Sequence, residues 1–250
     1  MSDAARRKEN VPALTPYLIL GFIVLLLALV ARAPASLLQK AVPASLPLQV
    51  SAWGGTLWHG QAEFRQGPEA GFLRWDLQPS RLLRGRLGFS TRAQGALQLS
   101  GTVDLGLGGW RLQGLRGDVP VRFFQSLLPP GWSLPGSLEA EQVMLARQGL
   151  GNGAWAAASG GLRWAGGAMQ YNLSGQPQGA TLPPLQALLR LDKETLVVTL
   201  GEAAGTLAEV RIAPDGTVET RLRERLLRYS NRTSGADPDA VVVTSTQKPR

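Results

Sequence analysis

From Leu97 to Leu107 the chain alternates. Leu97, Leu99, Val103, Leu105 and Leu107 fall on one side, with Gly101 completing the row, while Gln98, Ser100, Thr102 and Asp104 fall on the other. A period of two sends successive side chains to opposite faces, which describes a half-buried strand and excludes an amphipathic helix. Unbroken, this segment would run about 36 Å. Val210 and Ile212 alternate before Ala213-Pro214-Asp215-Gly216, and Val218, Thr220 and Leu222 alternate after it. Pro fixes φ and Gly accepts the left-handed position, so this spacing predicts a hairpin. Residues 196–200 (LVVTL) predict a further strand. Gly supplies 30 of the 250 residues and recurs between the apolar runs, marking turns, bulges or bends. The expected fold is mainly β: a Gly-rich, curved antiparallel sheet, an open half-barrel or sandwich-like. Three segments predict brief helices: Ala35–Val42, Val121–Leu128 before Pro129-Pro130, and Leu185–Leu191 after Pro183-Pro184.

A second feature precedes the β region. Arg6, Arg7 and Lys8 are followed by a run from Val11 to Ala31 without a charge. As a helix it would rise about 31 Å, enough for a bilayer core. Tyr17, Leu20, Phe22, Leu26 and Val30 lie along its most apolar part. Ala31-Arg32-Ala33 has the small-x-small form of a cleavage site, but the length of the run and Pro34 favour a retained anchor. The basic triplet would stay cytoplasmic and place the remainder in the periplasm. The expected organisation is a cytoplasmic basic segment (1–10), a transmembrane helix (11–33), a periplasmic β-rich domain (34–228) and a polar, disordered tail (229–250). Val241–Val243 could add an edge strand from that tail. Gly54–Ala62 and Gly160–Ala168 share the pattern G-G-x-x-W-x-G-x-A, consistent with two related halves.

Chemistry is scarce. Cys is absent, which removes disulfides, thiol nucleophiles and Cys-based metal sites. His59 is the single imidazole, and no G-x-S-x-G elbow supplies a serine for a triad. The pairs Glu139/Glu141 and Asp192/Glu194 each share one face of a strand, a spacing that any solvated strand face supplies, so they are read as solvated and not as an acid–base site. No P-loop, dinucleotide fingerprint or calcium loop is present. No catalytic residue, cofactor, metal or small-molecule substrate is expected. The net charge of +8 is spread along the chain, which argues against nucleic acid. The one local basic cluster is Arg81, Arg84, Arg86 and Arg92, with no acid between Asp76 and Asp104. It could meet an acidic partner surface or lipid head groups.

The motif Gly55-Thr56-Leu57-Trp58-His59-Gly60-Gln61-Ala62 and the segment Trp75-Asp76-Leu77-Gln78-Pro79, with one N-terminal span and a late Asp215-Gly216 hairpin, resemble the type II secretion system protein N family. The resemblance implies a non-enzymatic inner-membrane subunit whose periplasmic β domain links the inner-membrane platform to the secretin. Its partners would be other type II secretion subunits and the inner membrane itself. Gly55, Thr56, Leu57, Trp58, Gly60 and Trp75 are the expected structural motif, fixing a bend and its packing. An anchored lipid-handling protein resembling the AsmA-like β-groove proteins is the alternative, and it requires a continuous apolar groove open to solvent. A periplasmic glycan-active enzyme would need carboxylates converging in a cleft.

Overall fold

The structure is a computed structural model that describes residues 15–41, 49–67, 69–123, 133–149, 153–173, 176–229 and 235–248. Strands β1 (Gln49–Gly55), β2 (His59–Gln66), β3 (Glu69–Leu77), β4 (Leu87–Gly95), β5 (Gln98–Gly106), β6 (Gly109–Pro120), β7 (Ser137–Gln148) and β8 (Trp155–Trp164) form an antiparallel meander. β9 (Gly167–Leu173) and β10 (Gln176–Leu182) leave it as a separate hairpin. β11 (Leu185–Asp192) returns to pair with β8, and β12 (Thr195–Glu202), β13 (Gly205–Ile212), β14 (Val218–Arg223) and β15 (Val241–Gln247) extend the same sheet. Thirteen described strands thus make one sheet, with β1 and β15 at opposite edges and no closure into a barrel.

Alternation sets the two faces. The register Ala62↔Leu73↔Ala93↔Leu99↔Gly117↔Ala140↔Leu162↔Ala187↔Leu200↔Ala208↔Leu222 carries one apolar row across the sheet. Three covers bury parts of this face. A 3-10 segment, Ala35–Ala41, places Ala35 and Leu38 against Ala62 and Trp75. Phe123 meets Phe64 edge-on, with ring centroids 6.1 Å apart. Met169 and Leu182 of the β9–β10 hairpin pack with Val121, Trp164 and Tyr229.

The sheet bends at bulges, where one strand carries an extra residue and the local twist rises. They gather in β5–β8, with register shifts at Ser100/Thr102, Leu112/Leu115, Leu115/Gly117 and Glu141/Met144. Gly117 (φ 127°) shows why glycine is needed there: a Cβ would strike the Gln98 carbonyl. Gln142 (φ 47°) takes a left-handed conformation without that freedom.

Several expectations change. Leu185–Leu191 is not a helix but β11, because the free edge of β8 needs a partner and the segment supplies seven continuous ladder positions to β12. Of the expected helix 121–128, residues 121–123 form a 3-10 turn and 124–128 lie outside the described residues. The expected helix at 35–42 is the 3-10 segment Ala35–Ala41. The tail is not disordered throughout, since β15 pairs with β14 over Val241–Gln247. A short helix, α3 (Glu224–Arg228), precedes it. The two G-G-x-x-W copies fall on different structures: the first closes the β1–β2 turn, and the second runs through the middle of β8 and out into β9. The expected span at 11–33 is represented by α1 (Thr15–Ala31), 17 residues and therefore about 25 Å. Among the described residues no helix is long and apolar enough to cross a membrane. The expected basic segment, 1–10, lies outside the described residues.

Candidate functional site

Two places gather the singled-out residues. The first is the junction between α1 and the sheet. Gly55 (φ 83°) and Gly60 pair across the end of β1 and β2, and residues 56–59 form the turn between them. The Thr56 amide donates to the His59 carbonyl at 2.9 Å. Thr56 Oγ1 accepts from the amides of Trp58 (3.3 Å) and His59 (3.2 Å), which locks the turn. The turn then reaches back to the helix. Trp58 Nε1 donates to the Val30 carbonyl at 2.9 Å, and the Leu57 amide donates to the Ala33 carbonyl at 2.9 Å. Val30 is in the last turn of α1, and its carbonyl accepts both from the Ala33 amide at 3.2 Å and from the indole, which joins the turn to the helix end. Pro34 and Thr56 form an isolated antiparallel bridge beside it.

Trp75 supports the turn from below. It is buried, and its Nε1 donates to the Leu57 carbonyl at 3.1 Å. Gly60 lies opposite Trp75 in register, and a Cβ there would run into the indole. Tyr17, Leu20, Phe22, Leu26 and Val30 are all exposed along α1. His59 Nδ1 lies 3.2 Å from Asp76 Oδ1, with both side chains about two-thirds exposed. That is a surface pair without a nucleophile, and among the described residues no His/Asp/Glu group could hold a metal.

The second place is a groove of about 1370 Å³ on the polar face, reaching from β4 to β11. A neighbouring hollow of about 800 Å³ extends it to β3. The walls mix charged side chains, among them Arg92, Arg116, Glu139 and Glu141, with apolar residues such as Leu99 and Leu188. Glu139 and Glu141 lie here on one strand, and Glu141 is already paired with Arg163 at 2.6 Å. Asp192 accepts from Arg211 at 2.6 Å, and that hydrogen bond holds its carboxyl below the usual carboxylate range.

The predicted cluster Arg81, Arg84, Arg86 and Arg92 is not brought together. Arg81 is spent inside the fold, ion-paired to the buried Asp104 and donating to Gln78 Oε1 (2.9 Å) and Gln113 Oε1 (3.2 Å). Arg84 and Arg86 are exposed on the turn between α2 (Pro79–Leu82) and β4. Only Arg92 reaches the groove, where it faces Arg74 across the β3–β4 ladder.

The family described as Type II secretion system (T2SS), protein N matches residues 47–228, most of the chain and nearly all of the sheet. The chain belongs to the type II secretion system protein N family. Type II secretion system protein N of Vibrio cholerae serotype O1 (strain ATCC 39315 / El Tor Inaba N16961) is 37% identical over 103 residues, which is 37% of this chain. The chain thereby spans 39% of the length of the curated relative it matches. No solved structure matches it. The residues that motif reading missed are Arg74 and Arg116. Their signal was strand parity: each has the parity of its strand's polar face, but their meeting depends on the register of four strands.

Proposed function

We infer that this chain is a non-enzymatic accessory subunit of type II secretion, anchored in the inner membrane and acting in the periplasm as a scaffold between the platform and the secretin. Residues 1–10 stay in the cytoplasm, 11–33 cross the membrane, and the sheet stands outside. The observation that supports this most is the junction. An apolar helix exposed along its length is tied to a large sheet by the Trp58–Val30 and Leu57–Ala33 hydrogen bonds. Such a joint transmits orientation from a membrane anchor to a docking surface, and anchoring raises the effective concentration of the sheet near other envelope subunits.

The test is genetic and biochemical together. Removing the gene from a type II-competent host should trap folded exoproteins in the periplasm, and the intact chain should restore export and sediment with inner membranes. Normal export without the gene, or recovery of the chain in the cytosol, would overturn the reading.

A further inference from the structure

The polar face sets like charge against like charge in two places: Asp118 stands opposite Glu139 where β6 meets β7, and arginines gather on β3 to β6. On β7 to β14, Arg163 meets Glu141 (2.6 Å), Arg190 meets Glu209 (3.4 Å), Arg211 meets Asp192 (2.6 Å) and Arg221 meets Glu219 (2.8 Å). On β3 to β6 the pattern breaks. Arg74 stands directly opposite Arg92, and Arg92 is followed across the sheet by Ser100 and then Arg116. All three arginines line the same 800 Å³ hollow, and none has an ion-pair or hydrogen-bond partner among the described residues. Like charges directly opposite on neighbouring strands repel, and such an arrangement is unfavourable until an anion sits between them. The acids facing this hollow are few. Asp76 lines it, 3.2 Å from the exposed His59 imidazole, while Asp118, Glu139 and Glu141 line the adjoining hollows.

We propose that this groove binds an extended acidic segment of a partner protein, with its carboxylates on Arg74, Arg92 and Arg116. The proposal rests on reading the chain as a scaffold for other proteins, and it names the chemistry of one partner. Guanidinium groups grip carboxylates through paired N–H donors. Gln94, Gln98, Ser100, Gln142 and Ser159 line the same trough and offer donors and acceptors to a peptide backbone, which an acyl chain would leave unsatisfied. The arginine stretch, from β3 to β6, crosses three strand spacings, about 14 Å, room for about four extended residues, and the acids Glu139 and Glu141 lie beyond it on β7.

The test uses the full chain in nonionic detergent at low salt and a fluorescent decapeptide of alternating Asp and Ser. Anisotropy should show saturable binding that falls as salt rises. Binding should drop at least tenfold in the combined Arg74→Gln, Arg92→Gln, Arg116→Gln variant, and should be unchanged in an Arg84→Gln, Arg86→Gln control. An alternating Asn-Ser peptide should not bind. The triple variant should melt no lower than the parent, because the change removes repulsion. As a measurement independent of any variant, a photo-crosslinking version of the peptide should label β3–β6 of the parent. Undiminished binding in the triple variant, labelling elsewhere, or a groove that takes phosphatidylglycerol vesicles while the peptide fails to compete would each overturn the proposal. None of these readouts depends on secretion, so the failure of the scaffold reading and the failure of this site can be told apart.

Discussion

Trp58, in the β1–β2 turn, and Trp75, on β3, illustrate how one residue type takes two jobs within 17 positions. Trp75 is core: buried, with its ring over Gly60 and its N–H satisfied by the Leu57 carbonyl. Trp58 is only partly buried, and its N–H reaches back 28 positions to the end of α1. Truncating Trp75 to Ala should cost about 3–5 kcal/mol, the usual range for emptying a buried aromatic site. Trp58→Phe keeps an aromatic ring but removes the indole N–H and its hydrogen bond, which should cost about 1 kcal/mol. Urea denaturation monitored by circular dichroism measures both. Hydrogen exchange at residues 31–33 should quicken in Trp58→Phe and not in a surface control such as Arg84→Gln. The motif around these residues was legible in the sequence because Gly, Thr and Trp at that spacing describe a tight, packed turn. What each tryptophan holds was not, because the acceptor for Trp58 lies in a different element whose approach no local pattern encodes.

At the level of elements, β11 was the segment most open to misreading. Leu185, Leu188, Leu189 and Leu191 follow two prolines at spacings that suit a helix as well as a strand. The deciding influence is non-local: β8 has an unfilled edge, and pairing with it and with β12 satisfies the backbone of β11 on both sides. By contrast, the hairpin at Ala213–Gly216 was fully legible, since its chemistry is local. The Ala213 amide donates to the Thr217 carbonyl at 2.9 Å, Gly216 takes φ 84°, and Asp215 accepts from the Thr217 amide at 2.9 Å. The outer ladder also has a pH signature. Asp192 is held below its ordinary value of 3.8, first by the hydrogen bond from Arg211 and then by the nearby charges of Arg211, Arg190 and Lys193. A carboxyl depressed on folding contributes stability that is present above its unfolded pKa and lost as pH falls through the folded one. The parent should therefore lose stability in the acid limb below pH 3.8, and Asp192→Asn should flatten part of that limb while leaving the slope near neutrality unchanged. Thermal melts across an acid series check it.

For the whole molecule, a curved, glycine-punctuated sheet followed from alternation and composition, while the direction of its trough did not. That direction is set by bulges at β5–β8, where Gly117 and Gln142 hold left-handed backbone conformations, and the polar side ends up lining the hollow. The sheet draws its core from the covers on its other face and not from α1, whose side chains are exposed. Deleting residues 1–31 should accordingly leave the β circular-dichroism signal and its cooperative melt in place, while abolishing flotation with lipid vesicles. Loss of the folded signal would show that the helix is part of the core. The sheet also stops without closing. Its last strand, Val241–Gln247, carries neither a charge nor a proline, and its outer backbone row has no partner among the described residues. Those are the devices by which edge strands usually repel newcomers. As copies accumulate, this bare rim is where two of them can zip together, strand on strand, while every domain is still intact.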